Sequence, residues 1–153
     1  MTSRDGDGWV DCTCGNKHWG LHGAAGLLLI KDRQVLLQHR APWVHNGDTW
    51  GIPGGARDSH EDIYEAAARE AHEETGIPTD SFEAITTHLV DHVLWSYTTV
   101  IARAKENIYH DDHNPETLDM EWVDIELVDE KNLHPSFEKA WPELKLLVKD
   151  LVL

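Results

Sequence analysis

Residues 55–77 read GARDSHEDIYEAAAREAHEETGI, and this stretch is the part of the sequence that best predicts the fold. Asp62 and Glu65 have the spacing of a capping box, in which two side chains satisfy two backbone N–H groups that would otherwise lack partners. Gly76 favours the left-handed conformation that ends many helices. The pattern predicts a helix that begins at Asp62, or one turn earlier at Ser59, and ends at Gly76.

One face of this helix changes from apolar to acidic along its length. By helical periodicity the residues on this face are Ile63, Ala66, Ala67, Glu70, Glu73 and Glu74. The three glutamates lie within reach of one another near the helix C-terminus, where the helix dipole disfavours negative charge. A divalent cation bound by their oxygens would remove this repulsion. The glutamates alone leave open an alternative, a solvated acidic face with Arg69 as its counter-charge.

The spacing of the whole stretch is more specific than the three glutamates. Gly55, Glu61 and the run REAHEETGI from Arg69 to Ile77 are its fixed points. This pattern resembles the Nudix box of the Nudix hydrolases at every fixed position. The resemblance implies an α/β fold, the Nudix α/β/α sandwich with a mixed central sheet. It also implies hydrolysis of a small-molecule nucleoside diphosphate derivative with Mg²⁺, or alternatively Mn²⁺, and many relatives form homodimers.

The resemblance implies that Glu70, Glu73 and Glu74 are both the metal ligands and catalytic carboxylates. Hydrolysis of a phosphoanhydride requires neutralised phosphate charge and an activated water, and bound Mg²⁺ supplies both. Pro53, Gly54 and Gly55 are predicted to form a turn in which the glycines carry no obstructing side chains. A backbone carbonyl of this turn is therefore predicted to approach the metal or the substrate closely.

Five further residues are candidates for support, substrate binding or proton transfer. Glu61 and Arg69 are predicted to orient the ligating glutamates and to brace the loop against the helix. In many Nudix proteins a basic residue near the end of the second strand contacts substrate phosphate, and Arg40 is the candidate here, with a plain surface arginine as the alternative. Glu116 and Glu121 resemble later carboxylates of the family. The identity of the general base stays open between these two and the first glutamate of the trio.

The overall composition excludes several classes of protein. With 153 residues, of which 41% are hydrophobic, the chain is expected to form one domain with a core. A formal net charge of −15 argues against a nucleic-acid surface, which would be basic. No apolar run is long enough for a bilayer and no signal-peptide layout is present, so no membrane contact and a cytoplasmic location are expected. We predict a flexible arm at residues 1–20 and the Nudix hydrolase domain at residues 21–153.

Both cysteines of the chain lie near its N-terminus, at Cys12 and Cys14. With His18 and His22 they form the pattern C-x-C-x3-H-x3-H. The histidine spacing suits zinc, but the single residue between the cysteines is shorter than usual in zinc sites. A loosely packed arm is therefore the preferred interpretation, with a structural zinc site as the alternative.

The remaining segments predict the rest of a sandwich. Runs of apolar or alternating residues indicate strands at residues 23–30, 35–37, 82–91, 93–105 and 120–123. The tail carries an apolar stripe with helical spacing, and a helix is predicted to begin near Pro142, because proline is unfavourable inside a helix.

The subfamily is less clear from the sequence. The proline that marks ADP-ribose hydrolases would stand at the position of His92. The tyrosine that marks diadenosine-polyphosphate hydrolases would stand shortly before Tyr97, which is the nearest tyrosine. A MutT-like nucleoside triphosphate pyrophosphohydrolase is favoured, because the chain is short and has no added domain. The alternatives are a hydrolase of ADP-ribose or of a nucleotide sugar, and a non-catalytic module that senses a nucleotide.

Overall fold

Seven strands form a mixed sheet that lies between two helices, and two further strands form a separate hairpin. The computed structural model describes residues 5–12, 14–15, 17–105 and 117–152. The strands are β1 (Trp9–Asp11), β2 (Lys17–Trp19), β3 (Ala24–Lys31), β4 (Gln34–Arg40), β5 (Trp50–Gly51), β6 (Gly54–Ala56), β7 (Phe82–Asp91), β8 (Ser96–Ala104) and β9 (Thr117–Asp124). The helices are α1 (Ile63–Thr75) and α2 (Pro135–Val152), preceded by a short 3-10 turn at Val128–Glu130.

The central strand is β3, whose residues 27–30 are buried on both faces of the sheet. It pairs in parallel with β8 and antiparallel with β4 and β6. The strand order is β5-β4-β3-β8-β7, with β9 paired to β4 and β6 paired to β3. A continuous apolar run is typical of a strand that is covered on both sides, and the α/β/α sandwich that the sequence predicted is confirmed.

Alternate residues of the sheet enter two separate cores. The core on the α2 side contains Leu28, Ile30, Val35, Leu37, Phe137, Trp141, Leu144 and Val148. The core on the α1 side contains Leu27, Leu29, Leu36, Ala66, Ala67 and Ala71. The buried residues of α1 are all small, namely Ala66, Ala67, Ala71 and Thr75, so its backbone packs close to the sheet. The acidic end of α1 is thereby held beside the strand β6.

The helix α1 begins and ends where the sequence predicts. The Glu65 N–H group donates to Asp62 Oδ1 over 2.8 Å, and the Asp62 N–H group donates to Glu65 Oε1 over 3.0 Å. At the other end Gly76 has a φ of 79°, and its N–H group donates to the His72 carbonyl. The capping box and the left-handed glycine are thus both confirmed.

The predicted start of the last helix near Pro142 is wrong, because α2 already begins at Pro135 and contains Pro142 in its interior. Phe137 and Trp141 precede this proline and continue the buried stripe of Leu144 in the α2-side core. Their burial offsets the backbone hydrogen bond that a proline inside a helix removes. Neither this helix nor any other in the described part of the chain is long and apolar enough to span a membrane.

The N-terminal residues contact the polar loop that precedes α1. The strands β1 and β2 pair as an antiparallel hairpin. Asp5 accepts hydrogen bonds from the N–H and hydroxyl groups of Ser59, and the Gly6 N–H group donates to Asp58 Oδ1 over 3.0 Å. These contacts link residues 5–6 to the Nudix-like stretch. That residues 1–20 are a flexible arm stays a prediction.

Candidate active site

Gly54 and Gly55, which the sequence predicted to form a turn, lie instead in the strand β6, where they pair with Gly26 and Ala25. Two of the three glutamates predicted from the sequence lie directly against these two glycines. Glu74 Oε2 accepts a hydrogen bond of 2.9 Å from the Gly54 N–H group. A Cβ atom added at Gly55 would lie 2.6 Å from Glu70 Cδ, so only a glycine leaves room for this carboxylate. Glu73 lies at the rim, with 39% of its side chain exposed. The two glycines of β6 and the acidic end of α1 therefore form one site.

Arg69 connects this site to the loop before α1. Its guanidinium binds Glu61 in a bidentate way, with Nε to Oε2 at 2.7 Å and Nη2 to Oε1 at 2.8 Å. Nη2 also donates to the Ala56 carbonyl over 3.0 Å. Nη1 donates to Glu70 Oε1 over 2.8 Å and to Glu73 Oε2 over 3.4 Å. Arg69 thus holds two of the three glutamates in position from a partly buried anchor.

Glu61 is the buried partner of this arginine. Hydrogen bonding to Arg69 holds the pKa of Glu61 below its usual value, against the opposing effect of burial, and the Asp58 N–H group adds a further hydrogen bond. The same ion pair raises the pKa of Arg69. Asp58 is itself buried, and sequence reasoning missed it, because its neighbours mark the segment only as a polar loop.

Tyr97 on β8 is a second residue of the site that sequence reasoning did not assign. A Cβ atom at Gly54 would lie 2.8 Å from the Tyr97 hydroxyl, and one at Gly26 would overlap it. Burial raises the pKa of Tyr97, and the nearby carboxylates of Glu74 and Glu70 raise it further. The phenol is therefore neutral and lies close to the acidic end of α1. From the sequence alone, Tyr97 is only the tyrosine nearest to the position of a subfamily marker.

Arg40, the predicted phosphate-binding residue, lies at the end of β4. Its guanidinium donates to the His45 carbonyl from Nη2 over 2.9 Å and from Nε over 3.2 Å. Its positive charge acts to lower the pKa of Tyr97, opposite to the effect of the glutamates. Arg40 is therefore close enough to the site to influence it electrostatically. Glu116 lies outside the described residues.

The strand β9 reaches the site at Thr117 and not at Glu121. The Thr117 hydroxyl donates to the Glu74 carbonyl over 3.0 Å, a contact that sequence reasoning missed. Glu121 instead forms an ion pair with Lys131. Because side chains alternate along a strand, Glu121 shares the sheet face of Val123, which belongs to the α2-side core. The structure thus does not bring Glu121 together with the glutamates of α1.

The acidic end of α1 has the donor chemistry of a magnesium site. Carboxylate oxygens are the ligands that hard divalent cations prefer. Arg69 provides a single positive charge against several neighbouring carboxylates, so an excess of negative charge remains. A second cluster, formed by Asp58, His60 and Glu61, offers ligand atoms within 4.8 Å of one another. This cluster is less suited to a metal, because hydrogen bonds from Arg69 already engage both carboxylate oxygens of Glu61.

Comparison with protein families matches residues 20–144 to the NUDIX domain. The chain belongs to the Nudix family. A Mycobacterium tuberculosis relative named "Putative 8-oxo-dGTP diphosphatase 3" is 45% identical, over 92% of this chain and 70% of its own length. A Bifidobacterium longum protein named nucleoside triphosphate pyrophosphatase/Nudix hydrolase fusion protein is 39% identical, over 95% of this chain but only 32% of its own length.

Solved structures agree with this assignment. The Nudix hydrolase RenU from M. smegmatis has a TM-score of 0.83 and 41% sequence identity, and the match covers 95% of this chain and 98% of that protein. An Ap4A hydrolase from C. elegans has a TM-score of 0.64 at 18% identity, over 83% of this chain and 98% of that protein. The second likeness shows the Nudix fold alone.

The two glycines of β6 yield a testable prediction. Gly55→Ala is expected to reduce turnover about 10- to 100-fold, because the new methyl group displaces the Glu70 carboxylate from its place beside β6. The fold should tolerate this variant, since the displaced atoms belong to a flexible side chain. Gly54→Ala is the contrasting variant, because its Cβ would lie 2.6 Å from the Ala25 carbonyl oxygen. Steady-state kinetics and thermal unfolding of both variants check this expectation, and equal destabilisation by the two would contradict it.

The ion pair inside the Nudix box predicts a dependence of stability on pH. Because the folded-state pKa of Glu61 lies below its ordinary 4.5, the charged side chain stabilises the fold above that pH. This contribution is lost as the pH falls from 4.5 through the folded-state pKa. Urea unfolding of the wild type and of Glu61→Gln is expected to show a difference in unfolding free energy at neutral pH that shrinks below 4.5. A difference that stays constant over this range would refute the role of the Glu61 charge.

Proposed function

We propose that this Nudix protein is a magnesium-dependent pyrophosphohydrolase of nucleoside triphosphates or deoxynucleoside triphosphates, releasing a nucleoside monophosphate and pyrophosphate. The observation that carries the proposal is the position of Glu70 and Glu74 against Gly54 and Gly55 of β6, with Glu73 at the rim. Three carboxylates gathered beside two glycines leave room for a diphosphate and for the cations that neutralise it. The names of the two relatives similar over almost the whole chain support the nucleotide class.

The residues of the Nudix box would have two roles, to hold Mg²⁺ and to align the carboxylates that bind it. Glu70, Glu73 and Glu74 would hold Mg²⁺, which when bound neutralises phosphate charge and makes a water more acidic. Arg69 fixes the first two of these carboxylates through its own anchor on Glu61. Such support matters, because a small misplacement of reacting groups costs a large part of the rate.

We assign the role of proton acceptor to Glu70 among the candidates from the sequence. Its carboxylate lies beside Gly55 and keeps its position through Arg69 Nη1. A water between Glu70 and the substrate would lose its proton to this carboxylate as its oxygen bonds to phosphorus, and pyrophosphate would leave with the electrons of the broken P–O bond. Glu121 is less suited, because it is paired with Lys131 on the other face of the sheet.

The position of Arg40 supports recognition of the phosphate chain. Its positive charge acts on Tyr97, the same phenol on which the carboxylates of Glu74 and Glu70 act. We propose that it binds a phosphate oxygen of the substrate that the carboxylates and Mg²⁺ do not engage. The hydrogen bonds to the His45 carbonyl hold the side chain in place from one side. Arg40→Ala is therefore the variant that separates phosphate binding from metal binding.

A panel of nucleotides with Mg²⁺ tests the proposed function. The panel contains the common NTPs and dNTPs, 8-oxo-dGTP, ADP-ribose and a nucleotide sugar, with phosphate, pyrophosphate and nucleoside monophosphate measured separately. We expect pyrophosphate and a nucleoside monophosphate from the triphosphates, and 8-oxo-dGTP is included because of the name of the M. tuberculosis relative. Turnover only of ADP-ribose or of the nucleotide sugar would replace the proposed substrate. Binding of nucleotides without any turnover would favour the sensing module.

A further inference from the structure

Two cysteines and two histidines converge away from the Nudix box, between the N-terminal hairpin and the loop that joins β7 to β8. The side-chain ligand atoms of Cys12, Cys14, His18 and His92 all lie within 4.8 Å of one another. Cys14 Sγ lies 3.1 Å from His18 Nε2, and Cys12 Sγ lies 3.6 Å from the His92 carbonyl oxygen. Donors around a tetrahedral zinc ion are about 3.3–3.8 Å apart, as follows from metal–ligand bonds of about 2.0–2.3 Å. Rotation of these side chains is therefore enough to bring the four ligand atoms to bonding distance from one zinc ion.

The backbone around the cysteines supports a metal-bound sulfur. The Cys14 N–H group donates to Cys12 Sγ over 3.4 Å, and the Gly15 N–H group donates to the Cys12 carbonyl over 3.1 Å. Hydrogen bonds from backbone N–H groups to sulfur stabilise the thiolate that binds a metal. Gly15 adopts a φ of 93°, which lets the chain turn tightly after Cys14 and bring His18 back to the sulfur.

The rings of the two histidines are ordered by aromatic contacts. The His18 ring stacks on Trp95, with centroids 4.2 Å apart, and lies 4.8 Å from the His92 ring. Stacking on Trp95 fixes the plane of the His18 ring beside His92 and the cysteines.

We propose that Cys12, Cys14, His18 and His92 form a structural zinc site that fastens the N-terminal hairpin to the β7–β8 loop. The donor set is Cys₂His₂, which is typical of closed structural zinc sites. The C-x-C-x3-H-x3-H pattern offered His22 as the fourth ligand, but the structure supplies His92 instead. The proposal does not depend on the proposed function, because none of these residues belongs to the Nudix box.

The conformation of the β7–β8 loop agrees with a role in binding. Val93, next to His92, has a φ of 73°, which is rare for a β-branched residue and costs free energy. Asp91 Oδ1 accepts from the Val93 N–H group, and the His92 N–H group donates to the Trp95 carbonyl. The strained turn thereby directs His92 toward the hairpin. Bound zinc would fix this loop, which leads through Trp95 into the strand that carries Tyr97.

Metal titration of the untagged, reduced protein tests the site. With Zn²⁺ we expect one tight equivalent that slows the reaction of Cys12 and Cys14 with a thiol reagent. With Co²⁺ we expect the d–d bands of a tetrahedral ion and a thiolate-to-cobalt charge-transfer band, which carboxylate ligands in the Nudix box cannot produce. Cys12→Ser should lose the charge-transfer intensity of one thiolate, and His92→Gln should weaken zinc binding more than about 10-fold.

His22→Gln is the matched control, because it removes the histidine that the sequence pattern offered while leaving the four proposed ligands intact. This variant should bind zinc as the wild type does, and its folding can be compared with that of His92→Gln by circular dichroism. The proposal is overturned if Co²⁺ gives no charge-transfer band, or if zinc does not protect the cysteines. It is also overturned if His22→Gln weakens zinc binding and His92→Gln does not.

Discussion

Glu73→Gln and Glu74→Gln are each expected to reduce magnesium-dependent turnover by more than about 100-fold. Removing a metal ligand should cost more activity than removing a residue that only supports a ligand. Glutamine keeps the size of the side chain and removes the negative charge that binds the cation. In Glu74→Gln the amide oxygen still accepts from the Gly54 N–H group, so the contact with β6 survives. The initial rates at several Mg²⁺ concentrations measure the effect, and circular dichroism with thermal unfolding confirms the fold.

Glu138→Gln provides the control for this pair. Glu138 is exposed on α2, on the side of the sheet opposite the site, and the substitution makes the same chemical change. Its turnover should equal that of the wild type. If both box variants kept full activity, the assignment of the metal ligands would be refuted. If they lost activity but high Mg²⁺ restored it completely, these glutamates would contribute affinity for the ion and nothing to the chemical step.

The parts of the fold that the sequence predicts well are those governed by local chemistry. The capping pair Asp62 and Glu65 and the terminating Gly76 determine α1 by contacts within a few residues, and all three are confirmed. The start of α2 is different, because a proline rule that holds for an isolated helix is outweighed by burial of Phe137 and Trp141 in a core. That burial depends on strands far away in the chain, so local rules do not include it.

The same distinction applies to the site. The three glutamates were predictable, because helical spacing alone gathers them on one face. Tyr97 and Thr117 reach the same place only through the pairing of β8 and β9 with the rest of the sheet, and no local pattern marks either residue. His92 likewise meets the cysteines across a long stretch of chain. The zinc pattern that the sequence offered as an alternative therefore included His22, which is near in sequence but outside the cluster.

Arg69→Ala is expected to lower the free energy of unfolding by about 3 kcal/mol, because it leaves the buried Glu61 carboxylate without its bidentate partner. It should also reduce turnover about 10- to 100-fold, since Glu70 and Glu73 lose the group that orients them. Arg69→Lys keeps the charge but cannot reproduce the two parallel hydrogen bonds, so an intermediate loss is expected. Urea unfolding at neutral pH and steady-state kinetics measure the two effects.

Arg33→Ala is the matched control for the loss of stability. Arg33 approaches Glu126 at 3.9 Å, and both side chains are about half exposed, at 50% and 47%. An exposed pair of this kind contributes less than about 1 kcal/mol, so Arg33→Ala should leave stability nearly unchanged. A loss in Arg69→Ala no larger than that of this control would contradict the buried role of Arg69.

The double variant Arg69→Ala/Glu61→Gln separates the ion pair from simple loss of packing. If the cost of Arg69→Ala comes from an uncompensated buried charge, then removing that charge as well should restore part of the lost stability. The double variant is therefore expected to be more stable than Arg69→Ala alone, although it lacks both members of the pair. Its turnover should stay low, because Glu70 and Glu73 still lack the guanidinium that positions them. Strictly additive losses would instead mean that the two residues contribute independently to the fold.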